Sequence, residues 1–123
     1  MVFKILETGV KKSESKITLT RSKYIRFSSF FIEENKLENK KYIRIYIDKK
    51  EGEILIGFEF INEKKDKSLK LSTYGKSKGY SGSGSSLFSE LDLKKDEMKK
   101  SLHFTPIEKE FEGKKLFVIS IKK

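Results

Sequence analysis

The strongest constraint in this sequence is the run Tyr42–Asp48, Y-I-R-I-Y-I-D, in which apolar and polar positions alternate without a break. A period of two belongs to a β-strand with one buried face, here Ile43, Ile45 and Ile47, and one outward face, Tyr42, Arg44 and Tyr46. Lys49–Gly52 supplies a turn, and Glu53–Ile61 is again rich in Ile and Phe, so a hairpin is expected. A lone hairpin is marginal in water. Further strands or helices must cover the isoleucine face, and the rest of the chain reads as that cover.

Upstream, Val2–Leu6 predicts a short strand, Glu7–Ser15 a polar connector, and the Ile17/Leu19 alternation a half-buried strand. Arg21–Arg26 reads as a basic loop with Tyr24 and Ile25 between its charges. Ser28 or Ser29 can cap a short helix through Phe30, Phe31 and Ile32 to about Leu37. Glu33 and Glu34 fall early in that helix on this reading, where carboxylates suit the dipole. Asn62–Lys67 is a charged connector.

The plan then recurs. Leu69 and Leu71 follow Ile17 and Leu19 at an offset of 52, and Ser85–Leu93 follows Ser29–Leu37 at an offset of 56. Glu112-Gly113 follows Glu51-Gly52 at an offset of 61, which aligns Phe58 and Phe60 with Ile119 and Ile121. Neither half could bury much alone, whereas two halves folded together share one core. The expected fold is α+β and mostly β. It is a single domain of two strand–short helix–hairpin repeats, about 16–61 and 68–122, forming one barrel-like core, with the short N-terminal strand 2–6 beside it.

Composition narrows the function. The net charge of +10 favours a polyanionic partner such as nucleic acid. The absence of cysteine removes disulfides, thiolate metal sites and cysteine nucleophiles. No apolar run approaches the roughly 18 residues of a membrane span, and Met1–Val10 is too short and wrongly flanked for a signal peptide, so a soluble cytoplasmic protein is expected. His103 is the single histidine and cannot build a multi-histidine metal site; a structural role is expected for it. No motif joins a nucleophile, a base and an orienting group, so neither enzymatic activity nor a cofactor is expected.

The candidate binding residues are basic and aromatic. Arg21, Lys23 and Arg26 can grip phosphate, with Tyr24 able to stack on an exposed base; the alternative is a solvated loop with Ile25 and Phe27 turned inward. Tyr74–Phe88, Y-G-K-S-K-G-Y-S-G-S-G-S-S-L-F, holds four of the eight glycines and carries Lys76 and Lys78. It matches no Walker or G-x-G-x-x-G pattern, so it reads as a mobile lysine-bearing arm, with plain disorder as the alternative. Tyr42, Arg44 and Tyr46 could form a single-strand or RNA platform, although cross-strand packing or a dimer interface suits that face better.

Tyr24–Asp48, Y-I-R-F-S-S-F-F-I-E-E-N-K-L-E-N-K-K-Y-I-R-I-Y-I-D, resembles the core of the AbrB/SpoVT swapped-hairpin DNA-binding family in its order of strand, short helix, turn and alternating strand. Ser28 stands where that family usually has proline, Asn35 where it has leucine, and Lys40-Lys41 where it has Gly-Asp. Two copies in one chain are similar to the tandem arrangement of MraZ-type regulators, without their signature residues. The resemblance implies transcription-regulator-like binding of double-stranded DNA through Arg21, Lys23 and Arg26, and the internal repeat adds Lys76 and Lys78. Two alternatives stand beside it: a protein-interaction module or inhibitor, as from a mobile element, and a single-stranded DNA or RNA binder. A protein partner or a homodimer would accompany the first of these; no membrane partner is expected.

Overall fold

The computed structural model describes residues 16–20, 22–73, 79–91 and 101–122, and the expected strand 2–6 lies outside them. In chain order the elements are β1 (Ile17–Leu19), β2 (Tyr24–Phe27), α1 (Ser29–Glu34), β3 (Tyr42–Lys50), β4 (Glu53–Ile61), β5 (Leu69–Lys70), β6 (Ser72–Thr73), β7 (Tyr80–Ser83), α2 (Ser85–Leu91), β8 (Leu102–Phe104), β9 (Ile107–Phe111) and β10 (Lys114–Lys122). They build two five-stranded antiparallel sheets. A short-stranded sheet runs β6-β7-β2-β1-β8, and a long-stranded sheet runs β5-β3-β4-β10-β9.

The long sheet grows from the hairpin legible in the sequence. Lys50 pairs with Glu53 across the two-residue loop Glu51-Gly52, and nine register pairs carry the hairpin back to Tyr42 and Ile61. The second hairpin closes Phe111 onto Lys114. Its loop residues Glu112 and Gly113 both take positive φ, 50° and 77°, as a tight hairpin turn of matching twist requires. The two hairpins join through β4 and β10. Alternation sends Ile54, Ile56, Phe58 and Phe60, and Phe117, Ile119 and Ile121, to the inner side, where all seven are buried.

Against that face sits the short sheet, with Ile17, Leu19, Ile25 and Phe27 wholly buried. Phe27 meets Phe58 edge-on at 5.3 Å and Phe60 at 4.8 Å between centroids. From α1, Phe31 adds contacts to Phe27 at 5.9 Å and Phe117 at 4.9 Å. Ser28 caps α1, its Oγ accepting from the Phe31 amide at 3.2 Å. The Ser28 amide also donates to the Lys16 carbonyl at 3.0 Å, a bond that proline at this position could not make.

The helix is shorter than the sequence suggests. Lys36, at φ 55°, turns the chain left-handed, and the amides of Lys36 and Leu37 donate back to the carbonyls of Glu33 and Ile32. Glu33 and Glu34 therefore close the helix instead of opening it, and its first turn holds no carboxylate.

The expected barrel does not close; the strands form two separate sheets. At two corners the chain passes between the sheets without carrying the ladder with it. In Leu69–Thr73 the bend falls at Leu71, whose amide donates to the Lys41 carbonyl at 2.7 Å. Between β8 and β9 it falls at Thr105-Pro106, where proline has no amide to offer a ladder.

The glycine- and serine-rich stretch requires a larger correction. Tyr74–Lys78 lies outside the described residues, but Tyr80–Ser83 is a strand inside the short sheet, paired to β2 and β6, and not part of an arm. A Cβ on Gly82 would stand 3.0 Å from Leu71 Cδ2 and 3.1 Å from Leu69 Cδ2. On Gly84 it would stand 2.8 Å from the Phe88 ring and 3.0 Å from the Lys23 carbonyl. These glycines are spacers that let β7 and α2 close on their neighbours. The Tyr80 hydroxyl donates to the Glu38 carbonyl, and burial, then the nearby Glu38 carboxylate, raises its pKa above the ordinary tyrosine value.

Two outcomes follow from this packing. Gly84→Ala should cost about 1–3 kcal/mol in denaturant unfolding, since it overpacks against backbone as well as ring, whereas exposed Ser86→Ala should change little. Tyr80→Phe should lose about 1 kcal/mol at neutral pH. A raised folded pKa favours the neutral phenol, so the native protein should lose stability as pH rises above about 10. Tyr80→Phe lacks this loss, and the gap between the two proteins should shrink in alkaline melts.

Candidate nucleic-acid interface

Because β1 and β2 bury alternate residues, the residues between must face outward. Tyr24 and Arg26 do so on β2, and Thr18 does so on β1. Pairing extends this across the sheet: Ser72 lies opposite Ser81, Ser81 opposite Arg26, Arg26 opposite Thr18, and Thr18 opposite His103. One row thus crosses all five strands, about 19 Å wide at the usual strand spacing. Thr18 Oγ1 and His103 Nδ1 are hydrogen-bonded at 2.9 Å. In the next row Ser83 stands opposite Tyr24, which is 48% exposed.

The strands that build this face carry no carboxylate. The chain has 18 carboxylate side chains, yet the five strands of the short sheet contain none. Those of the long sheet hold Asp48, Glu53, Glu59, Glu108 and Glu110. Within the row Arg26 stands between Ser81 and Thr18, with Lys23 just beyond the end of its strand.

Lys23 is held there by a tight turn. Thr20 and Tyr24 close it, the Thr20 amide donating to the Tyr24 carbonyl at 2.9 Å and Thr20 Oγ1 accepting from the Tyr24 amide at 3.0 Å. Lys23 takes φ 66°, and its carbonyl accepts from the Gly84 amide at 2.8 Å, which ties the turn to the start of α2. Its side chain is exposed.

Of the residues singled out from sequence, Lys23, Tyr24 and Arg26 come together on this surface. The basic segment is not a loop throughout, however: Tyr24–Phe27 is a strand, because its alternation Y-I-R-F buries Ile25 and Phe27 against the long sheet. Arg21, Lys76 and Lys78 lie outside the described residues. Arg44 is elsewhere, on the outer face of the long sheet and thus across the core, opposite Glu59 and donating through Nε to the Asp66 carbonyl at 3.0 Å. Tyr46, on that same outer face, donates to Glu59 Oε1 at 2.9 Å, with its ring 6.2 Å from Phe111.

Thr18, Ser72, Ser81 and Ser83 escaped the sequence reading, which gave His103 only a structural role. Their alternation marks some of them as outward, but the row that joins them depends on register between strands far apart in the chain. Among the described residues no three His, Asp or Glu side chains cluster to hold a metal ion. No helix among them is long and apolar enough to cross a membrane. Comparison with protein-family models, with curated proteins and with solved structures gives no match.

Proposed function

We propose that this is a small nucleic-acid-binding protein that holds double-stranded DNA against the outer face of its short sheet. The observation that carries the reading is the carboxylate-free row from Ser72 to His103, centred on Arg26 and flanked by Lys23 and Tyr24. Arginine, lysine and hydroxyl side chains are the usual donors to phosphate oxygens. A sheet about 19 Å across is too wide for a major groove of about 12 Å, so its contacts fall on the sugar-phosphate backbone more than on base edges. Binding of this kind depends little on base sequence and steeply on salt.

The same reading takes the chain as a tandem pair of units like those of the AbrB/SpoVT family. What supports it is the order of the strands. Exchanging β1, β2, β3 and β4 for β6, β7, β9 and β10 turns the four-strand runs β6-β7-β2-β1 and β3-β4-β10-β9 each into itself read from the other end, with the edge strands β8 and β5 left unmatched. The helices α1 and α2 exchange in step. In such a pair the DNA-binding surface straddles the β2–β7 junction, where Arg26 meets Ser81.

Fluorescence anisotropy with a duplex, a single strand and an RNA of equal length, at several salt concentrations, tests the proposal. Duplex DNA should bind most tightly, with log affinity falling linearly in log salt. Lys23→Ala with Arg26→Ala should weaken binding and lower that slope by about 0.9 per lost phosphate contact, with a melting temperature close to the parent's. Ser81→Asp, which adds a carboxylate beside Arg26, should weaken it too. Absence of binding to all three at low salt would overturn the proposal. Preference for a single strand would favour stacking on Tyr24 instead.

A further inference from the structure

The outer face of the long sheet has the opposite character. Over Gly57, which lacks a side chain, lies Leu116, whose Cδ1 would be 3.1 Å from a Cβ there. Tyr46 and Phe111 flank it, and Ile107 and Phe111 are 62% and 48% exposed. Tyr46, Phe111 and Leu116 join Leu55 and Val118 in lining a groove of about 420 Å³, with Asp48, Lys109 and Glu110 also along it. Large apolar side chains left exposed together on a sheet face suit an interaction site.

The register shows what fits it. One row across the four strands is Tyr46, Gly57, Val118 and Ile107, with no charge in it. On β3, Arg44 lies one row to one side of Tyr46 and Asp48 one row to the other. In a twofold face-to-face pair, whatever lies on the axis meets its own copy and must be uncharged. We infer that a second copy of this chain packs on this face, with the twofold axis along the Tyr46–Ile107 row and perpendicular to the strands. That operation brings Arg44 of each copy over Asp48 of its partner. It also stacks the apolar rows of the two sheets at the spacing of a sandwich core.

The short sheets then lie on the two far sides of the dimer, about 30 Å apart at three sheet spacings. Resting on the function proposed above, such a dimer presents two DNA-binding faces pointing away from each other and can bridge two duplexes.

Sedimentation equilibrium of the full chain without nucleic acid tests the dimer separately from DNA binding. The parent should be dimeric at tens of micromolar. Ile107→Glu, at an exposed edge position, sets two carboxylates beside the axis and should yield monomer with an unchanged melting temperature. Asp48→Arg and Arg44→Asp should each weaken the dimer by about tenfold or more through like-charge contact, and the double swap should restore it. A parent that stays monomeric at 100 µM or above, as a sheet covered by another part of its own chain would, overturns the inference. So does a dimer indifferent to Ile107→Glu, or charge swaps that are not rescued in combination.

Discussion

The edge-to-face contact of Phe27 with Phe58 and Phe60 is what the architecture depends on. Among the described residues no ladder joins the short sheet to the long one, and side-chain packing holds them face to face. Phe27 sits on β2, between β7 and β1, and Phe31 extends the contact one helical turn on to Phe60 and Phe117. Each buried phenylalanine contributes roughly 2–3 kcal/mol from apolar area, and each well-placed ring pair about 0.5–1.5 kcal/mol more. Ser28, between Phe27 and Phe31, makes both placements compatible by ending the strand with its amide and starting the helix with its hydroxyl.

That single inward residue also fixes the outer surface. With Phe27 and Ile25 directed into the core, Arg26 and Tyr24 have only the solvent face of the sheet. A slip of one residue in the pairing of β2 would bury the guanidinium and expose the ring, so the outer face and the core are two readings of one register. The glycines at 82 and 84 belong to the same constraint. They let β7 lie close against Leu69 and Leu71 and let Phe88 of α2 fold back, which keeps Ser81 beside Arg26.

The parts of this fold legible in the sequence are those set by local periodicity. The Tyr42–Ile61 hairpin, the Ser28 cap and the second hairpin at Glu112-Gly113 follow from alternation and turn chemistry alone. Where tertiary packing overrides local composition, the reading departs from the structure. Charge made Tyr24–Phe27 look like a loop, although its alternation already belonged to a strand. Glycine and serine made Tyr80–Ser83 look like an arm, because nothing local reveals that a small residue is required by leucines eleven to thirteen positions earlier. The helix end at Lys36 was hidden for a related reason, since a lysine in the left-handed position carries none of glycine's signal. For the site, Lys23, Tyr24 and Arg26 were visible as residue types, whereas the hydroxyl row and His103 needed the cross-strand register.

Net charge is the weakest of the electrostatic clues, and its distribution over the sheets is stronger. Lysines spread along the chain give +10 without naming a surface. Once the strands are assigned, the carboxylates of the two sheets all fall on the long one. Phosphate approaching the short sheet therefore meets strands that carry donors and no carboxylate of their own. On the long sheet the charges pair with one another or with backbone, as Arg44 does with Asp66 and Lys115 does with Glu108 at 2.8 Å. An exposed apolar centre suits a protein surface, and a strand face of hydroxyls around an arginine suits a polyanion. The sandwich keeps these two chemistries a core's thickness apart.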